Sequence, residues 1–185
     1  IPNGLSCCPR LFTKILQPPL TALHKKGHIS SNYIDDLYLQ GQTFNKCKIN
    51  VLYTVEQFDS LGFFSHPSKS AFEPTQTLVI LGFQLDSVKM TISLTDKKAT
   101  ALANCCKALM VVNRAKIRRE VAQVLGKIIS SFPGVMYGAL YHRTIEKDKT
   151  QALKENAGNF DAYMSLSDNA KKELNWLQMS KKATI

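Results

Sequence analysis

Two adjacent carboxylates, Asp35 and Asp36, are the residues of this sequence whose chemistry is easiest to name. They follow Tyr33 and Ile34, and apolar residues lie on both sides of the pair. Like charges a few ångströms apart repel each other, and a divalent cation removes that cost. Carboxylate oxygens suit Mg²⁺. Two Mg²⁺ ions about 3.5–4 Å apart can activate an attacking hydroxyl and stabilise the leaving oxygen of a phosphoryl displacement.

The Asp-Asp pair also has plainer interpretations. A solvated turn that contains two aspartates is common in proteins. Calcium-binding loops use aspartates as well, but their alternating Asp-x-Asp-x-Asp-Gly spacing does not occur here. The sequence around the pair is therefore needed to distinguish a metal site from an ordinary turn.

Those segments predict an antiparallel hairpin between two helices. Residues 29–39 carry apolar side chains on both sides of the aspartates, which predicts two short strands with the pair near their turn. Residues 5–26 have helical spacing that the Pro-Pro at positions 18 and 19 should interrupt or restart. Residues 43–61 are predicted to form an amphipathic helix, with Gly62 as its C-cap.

The rest of the chain changes from strands to helices near residue 94. Residues 77–85 are predicted to form a strand pair or one bent strand, broken at Gly82, and residues 88–94 one more strand. Thr95 is predicted to cap a helix. Helical patterns follow over two further segments, about 117–131 and 135–153. The tail then becomes polar before a short segment, 166–177, that contains the only Trp. The sequence therefore predicts an α+β fold.

Composition sets the class of protein. A hydrophobic content of 44% excludes a wholly disordered chain. Lys and Arg number 24 against 14 Asp and Glu, a net charge of +10 that favours a polyanionic partner such as nucleic acid over a merely basic surface. No apolar run approaches the roughly 20 residues of a membrane span, and nothing near Ile1 resembles a signal peptide. We therefore expect an intracellular protein, in the cytoplasm or nucleus, without a membrane partner.

The cysteines do not predict a metal centre. They occur as two adjacent pairs and a single residue, without Cys-x-x-Cys spacing. We interpret them as small apolar residues in a reducing compartment.

Four motifs, in the same order along the chain, resemble those of reverse transcriptases. Residues 2–12 are similar to the Leu-Pro-x-Gly…Pro…Phe segment that begins a helix under the nascent base pair, and residues 33–36 to the Tyr-x-Asp-Asp box. Residues 61–69 resemble the next motif, whose lysine, here Lys69, protonates the departing pyrophosphate. Residues 81–83 resemble the Leu-Gly-aromatic primer grip.

The resemblance implies roles for single residues. Asp35 and Asp36 would bind two Mg²⁺ ions, or Mn²⁺, and Lys69 would act as general acid. Contacts with template or primer are implied for four residues: Gly4, Tyr33, Gly82 and Phe83. Three of them have a structural alternative: a helix-start glycine at Gly4, strand burial at Tyr33 and plain core at Phe83.

Basic residues of the helical part are candidates for phosphate contacts, which would make binding depend on salt. They are Lys116, Arg118, Arg119 and Lys127. Taken one at a time, a solvated charge on a helix is the simpler interpretation of each.

A closer resemblance is to DIRS-type retrotransposon polyproteins. It rests on the box at residues 33–39, on Ser-Ser-Phe-Pro-Gly-Val at residues 130–135, and on the segment 166–176, which precedes the ribonuclease H domain in such polyproteins. The implied domains are a partial palm with the Tyr-x-Asp-Asp hairpin, an α-helical thumb and a connection segment. Their predicted ranges are 1–94, 95–153 and 154–185.

In this family a third metal-binding aspartate and the fingers lie upstream of the Pro-x-Gly segment, and ribonuclease H lies downstream. The given sequence begins inside the Pro-x-Gly segment, and Asp59 and Asp86 occur in the wrong order to replace the third aspartate. We therefore expect an RNA-directed DNA polymerase fragment that does not polymerise alone. The implied partners are an RNA or DNA template with primer, and deoxynucleotides. The alternatives are a non-catalytic nucleic-acid-binding module derived from a retroelement and, less favoured, an unrelated basic domain.

Overall fold

The computed structural model describes residues 4–112 and 115–179, without the side chains of Ala115, Arg118 and Arg119. The chain divides into two compact units that meet between residues 75 and 76. Both combine antiparallel strands with helices, which confirms the predicted α+β class. The division into palm, thumb and connection stays a prediction.

The first unit is an antiparallel hairpin packed on two helices. Its elements are α1 (Cys8–Lys25), β1 (Ile29–Tyr33), β2 (Asp36–Gln40) and α2 (Phe44–Ser60). Leucines of α1 and Phe58 of α2 form its buried core, and Leu37 of β2 packs against them. The hairpin therefore has an inner face on the helices.

Helix α2 agrees with its predicted range to within one residue at each end and has the predicted ending at Gly62. The hydroxyl of Thr43 accepts a hydrogen bond from the first turn. At the other end Gly62 has φ +79° and donates to the Asp59 carbonyl, while Phe63 N–H donates to the Phe58 carbonyl, each over 3.0 Å. The rings of Phe58 and Phe63 lie 5.2 Å apart. This is a Schellman ending with its hydrophobic contact.

The predicted break at the Pro-Pro pair is wrong, because α1 runs through Pro18 and Pro19 without interruption. Each proline removes one helical hydrogen bond, at a cost of about 3 kcal/mol. The helix persists because Leu16 before the pair and Leu20 after it are buried on the same face. In addition, Gln57 Nε2 of α2 donates to the Pro19 carbonyl over 2.9 Å. Tertiary packing therefore overrides the local rule.

The second unit begins with a three-stranded antiparallel sheet. Its strands are β3 (Thr77–Ile80), β4 (Phe83–Asp86) and β5 (Thr91–Leu94). Leu81 and Gly82 both have positive φ, +52° and +77°, as a type I′ hairpin turn requires. The predicted strand pair is thus confirmed. The last strand begins three residues later than predicted because residues 87–90 form a turn.

Four α-helices follow the sheet within the described part of the second unit. They are α3 (Asp96–Val111), α4 (Gln123–Ile129), α5 (Arg143–Glu155) and α6 (Asp168–Met179). A π-helical segment, Ile117–Ala122, precedes α4, and a short ribbon pairs β6 (Ala115–Lys116) with β7 (Tyr163–Met164). None of the helices in residues 4–112 and 115–179 is long and apolar enough to cross a membrane.

The helix predicted over residues 135–153 begins only at Arg143. Two single 3₁₀ turns, Phe132–Gly134 and Gly138–Leu140, stand before it. Tyr137 separates them with φ +60°, a left-handed conformation that no α-helix can contain. The helical spacing in this stretch was therefore misleading.

The motif at residues 166–176 holds α6 to its neighbours. Ala170 and Leu174 are buried completely, and the Glu173 carboxylate accepts hydrogen bonds at the start of α5. Its donors include Thr144 N–H at 3.1 Å and the Thr144 hydroxyl at 2.7 Å. Because a carboxylate at a helix N-terminus also interacts favourably with the helix dipole, Glu173 anchors α5 as well as capping it.

Cys106 lies in the core of the second unit, fully buried, and burial raises the pKa of its thiol to about 12. At pH 8 only about one thiol in ten thousand would then be ionised, and the thiolate is the reactive form. We expect iodoacetamide to leave Cys106 unmodified in the native protein and to modify it in urea, as measured by mass spectrometry. The experiment uses a Cys105→Ser variant, so that modification of Cys106 is not confused with that of its neighbour. Modification of Cys106 in the native protein as fast as that of the exposed Cys7 would contradict its burial.

Candidate metal and nucleic-acid site

The aspartate pair lies at the tip of the β1–β2 hairpin, as its sequence predicts. Tyr33 pairs with Asp36 at the end of the ladder, so Ile34 and Asp35 form the two-residue turn. Ile34 has φ +54°, the sign that the first turn position of primed hairpin turns requires. For a β-branched residue this conformation is strained by about 1–3 kcal/mol. The surrounding ladder therefore has to hold the turn in place.

The two faces of the hairpin have different environments. Side chains alternate along a strand, so Tyr33 and its partner Asp36 share one face, and Leu37 lies on the other. Leu37 packs into the core of the unit, while Tyr33 is 58% exposed. This exposure excludes strand burial as the explanation for Tyr33. The ring and the Asp36 carboxylate form one accessible surface at the tip.

Both carboxylates of the pair are exposed. Neither Asp35 nor Asp36 forms a side-chain hydrogen bond or an ion pair with any described residue, although the chain carries 24 Lys and Arg. Their oxygens are the hard donors that Mg²⁺ prefers. Within residues 4–112 and 115–179 no cluster of three or more His, Cys, Asp or Glu side chains forms. The two carboxylates thus have the chemistry of Mg²⁺ ligands, without a third acidic, His or Cys side chain grouped with them in the described residues.

A buried asparagine, which sequence reasoning missed, fixes the base of the hairpin. Asn50 of α2 is only 2% exposed, and its Nδ2 donates to the carbonyls of Ile29 and Gln40 over 2.8 and 2.9 Å. These two residues are the last pair of the ladder, opposite the tip. The Asn50 Oδ1 in turn accepts from the Thr54 hydroxyl at 3.2 Å. The signal available in the sequence was a polar Asn on the apolar face of a predicted helix.

Gly41 completes the connection between hairpin and helix. A Cβ at this position would lie 2.5 Å from Cys47 Cα and 2.8 Å from Cys47 Cβ, and still closer to the Cys47 nitrogen. The first turn of α2 therefore packs directly on the backbone that leaves β2. Only glycine allows this approach.

The structure does not join the other predicted residues of the first unit to the aspartates. Gly4 has φ +100° and is exposed, while positions 2 and 3 of its motif lie outside the described residues. Lys69 is exposed in a turn where its N–H donates to the His66 carbonyl. In the described part of the chain, Lys69 forms neither a hydrogen bond nor an ion pair with Asp35 or Asp36.

Gly82 lies in the β3–β4 turn of the second unit, and Phe83 follows it directly as the first residue of β4; the two together are called the Gly82–Phe83 turn below. The Gly82 carbonyl accepts from Thr95 N–H over 3.3 Å. Phe83 is half-buried, and the ammonium of Lys98 stands 3.8 Å from the centre of its ring. A Cβ on Gly134 would come within 3.0 Å of Phe83 Cδ1. The turn is therefore packed against the helical part of its own unit.

Two of the four basic residues singled out in the sequence have intramolecular contacts. Lys127 Nζ lies 2.9 Å from Cys105 Sγ, and Lys116 Nζ lies 5.3 Å from the centre of the Tyr163 ring. The side chains of Arg118 and Arg119 lie outside the described residues. Phosphate contacts for these four residues stay a prediction.

Comparison with known proteins identifies a similar fold but no family by sequence. No protein-family model and no curated protein matches the sequence. A foamy viral protease–reverse transcriptase, solved in complex with double-stranded DNA, has a similar structure with a TM-score of 0.65 and 17% sequence identity. The match covers 96% of this chain and 28% of the viral chain. The chain therefore has a reverse-transcriptase-like fold and spans about a quarter of that neighbour.

Proposed function

We propose that this chain forms the palm and thumb part of an RNA-directed DNA polymerase of a retroelement. The observation that carries the proposal is the hairpin tip, where Asp35 and Asp36 are exposed and unpaired beside an exposed Tyr33. A reverse-transcriptase-like fold over 96% of the chain supports it. In this proposal residues 1–94 belong to the palm, 95–153 to the thumb and 154–185 to the connection.

The proposed chemistry is nucleotidyl transfer with Mg²⁺. Asp35 and Asp36 would hold the metal, which when bound activates the attacking hydroxyl and stabilises the leaving pyrophosphate. The chain's own contribution is position, because the strained two-residue turn presents both carboxylates on rigid backbone. Tyr33 offers an aromatic surface beside Asp36 on which a primer nucleotide can pack. Lys69 is the proposed proton donor to pyrophosphate.

The proposed partner is a hybrid of template and primer. A net charge of +10 favours any polyanion, and most of such affinity comes from phosphate contacts that weaken with salt. The viral neighbour was solved with double-stranded DNA, which agrees with a duplex partner for this fold. The Gly82–Phe83 turn is proposed to contact the primer backbone. Deoxynucleotides are the proposed second substrate.

The test measures divalent metal and hybrid duplex binding by the 185-residue chain. Mn²⁺ serves as the probe, and electron paramagnetic resonance reports its free concentration. We expect Asp35→Asn and Asp36→Asn each to weaken Mn²⁺ binding about tenfold, because each removes one of two charged ligands. Asp59→Asn is the matched control, since it removes an exposed aspartate at the end of α2, and it should leave Mn²⁺ binding unchanged.

Hybrid binding is followed by fluorescence anisotropy on an RNA–DNA duplex at several salt concentrations. Affinity that falls with salt and rises when Mn²⁺ is added supports the polymerase. Duplex binding with equal Mn²⁺ affinity in all four proteins would instead support the non-catalytic nucleic-acid-binding module. A chain that binds neither probe would contradict both readings.

A further inference from the structure

The side chain of Lys98 joins the β3–β4 turn to the helices of the second unit. Its ammonium lies 3.8 Å from the centre of the Phe83 ring and donates to the Ser130 carbonyl over 3.0 Å. Its stem lies beside Gly82, where a Cβ would come within 3.1 Å of Lys98 Cδ. One side chain thus contacts both residues of the turn and the end of α4.

The Lys98 ammonium is stabilised without a carboxylate. No ion pair involving Lys98 occurs among the described residues. Ser130 is the C-cap of α4, so its carbonyl belongs to the negative end of that helix, and the face of an aromatic ring is also negative. Partial burial also lowers the pKa of the Lys98 ammonium.

The Phe83 ring is also confined by Gly134. A Cβ on Gly134 would lie 3.0 Å from Phe83 Cδ1 and 2.9 Å from the Leu94 nitrogen. The Thr95 N–H holds the Gly82 carbonyl at the same turn. Backbone contacts therefore locate the turn, and Lys98 is the side chain that ties it to α4.

We infer that Lys98 is a positioning residue, which holds the Gly82–Phe83 turn against the C-terminal end of α4 so that turn and helices meet a primer backbone as one surface. The inference rests on the proposed function for its ligand, but the contact itself can be measured separately. Loss of the ammonium should free the Phe83 ring and loosen the turn. Arginine should restore both contacts, because its guanidinium stacks on aromatic rings and donates hydrogen bonds.

The test compares Lys98→Met, Lys98→Arg and the matched control Lys97→Met in the full chain. Lys97 is the exposed neighbour on the same helix, so its replacement removes the same charge without the contact. 4-Fluorophenylalanine placed at position 83 reports the ring by ¹⁹F resonance. We expect its signal to move in Lys98→Met and to return towards wild type in Lys98→Arg. Hybrid duplex affinity should fall about fivefold in Lys98→Met relative to Lys97→Met.

Circular dichroism confirms that each variant is folded before the two readouts are compared. An unchanged ¹⁹F signal in folded Lys98→Met would show that the contact does not hold the ring, and would overturn the inference. Equal duplex affinity of Lys98→Met and Lys97→Met, when the wild-type chain binds, would overturn the positioning role. Failure of the wild-type chain to bind the hybrid would contradict the proposed function, whatever the ¹⁹F signal does.

Discussion

Asn50→Asp is expected to lower the free energy of unfolding of the first unit by about 4 kcal/mol. The substitution keeps the shape of the side chain but replaces the amide donor with a carboxylate oxygen. That oxygen would face the carbonyls of Ile29 and Gln40, which now accept hydrogen bonds at 2.8 and 2.9 Å. Because Asn50 is only 2% exposed, the introduced carboxylate would be buried against two carbonyl oxygens with no donor between them.

Urea denaturation followed by circular dichroism measures this effect, and Asn45→Asp is the control. Asn45 lies on the same helix, α2, but is exposed, so the same chemical change there should cost less than about 0.5 kcal/mol. Burial should raise the pKa of the introduced carboxyl, so the deficit should shrink as the pH falls and the group becomes neutral. Equal unfolding midpoints for the two variants would show that Asn50 does not fix the hairpin base.

Gly41→Ala is the second large effect, and we expect a loss of at least about 3 kcal/mol in the first unit. The added methyl group would overlap the backbone of Cys47, which belongs to the first turn of α2 and cannot move as a flexible side chain would. The Cys47 N–H donates to the Thr43 carbonyl over 2.9 Å, so displacement of this backbone also disturbs the helix start. Thermal unfolding measures the loss.

The control for Gly41→Ala is Gly126→Ala in α4, where a Cβ would meet no atom within 4 Å. The same substitution should there be neutral or stabilising by up to about 1 kcal/mol, because alanine favours a helix interior. Stability of Gly41→Ala equal to that of Gly126→Ala would mean that strand and helix do not approach each other as described.

Local patterns were sufficient for the hairpin and for α2. The aspartate turn, the cap at Thr43 and the ending at Gly62 depend on residues within a few positions of each other, so the sequence contains the whole cause. Proline at positions 18 and 19 acts locally too, but the burial of α1 on α2 outweighed it. The helix predicted from residue 135 failed because Tyr137 is left-handed and because Gly134 packs on Phe83 and Leu94, which are distant in sequence.

The residues that support the site were harder to predict than those that would do its chemistry. Asp35, Asp36 and Tyr33 are marked by type and order in the sequence. Asn50 and Lys98 act on atoms 10 to 32 residues away. The place of Asn50 on the apolar face of its helix is a weak signal, and nothing near Lys98 in the sequence distinguishes it from a solvated lysine. Supporting contacts of this kind follow only from the fold.

The β1–β2 hairpin extends from a base that is fixed by hydrogen bonds to helix α2. Asn50 holds its base and Leu37 packs its inner face on the helices, whereas Tyr33, Asp35 and Asp36 at the tip are exposed. Strand β1 is about 14 Å long from Ile29 to Tyr33, so a rotation of the hairpin by about 5° at its base displaces the tip by about 1.2 Å. Displacements of about 1 Å can cost about a hundredfold in rate when reacting groups must be aligned. The alignment of the carboxylates would therefore depend on how firmly Asn50 fixes the angle of the hairpin, one strand length away from them.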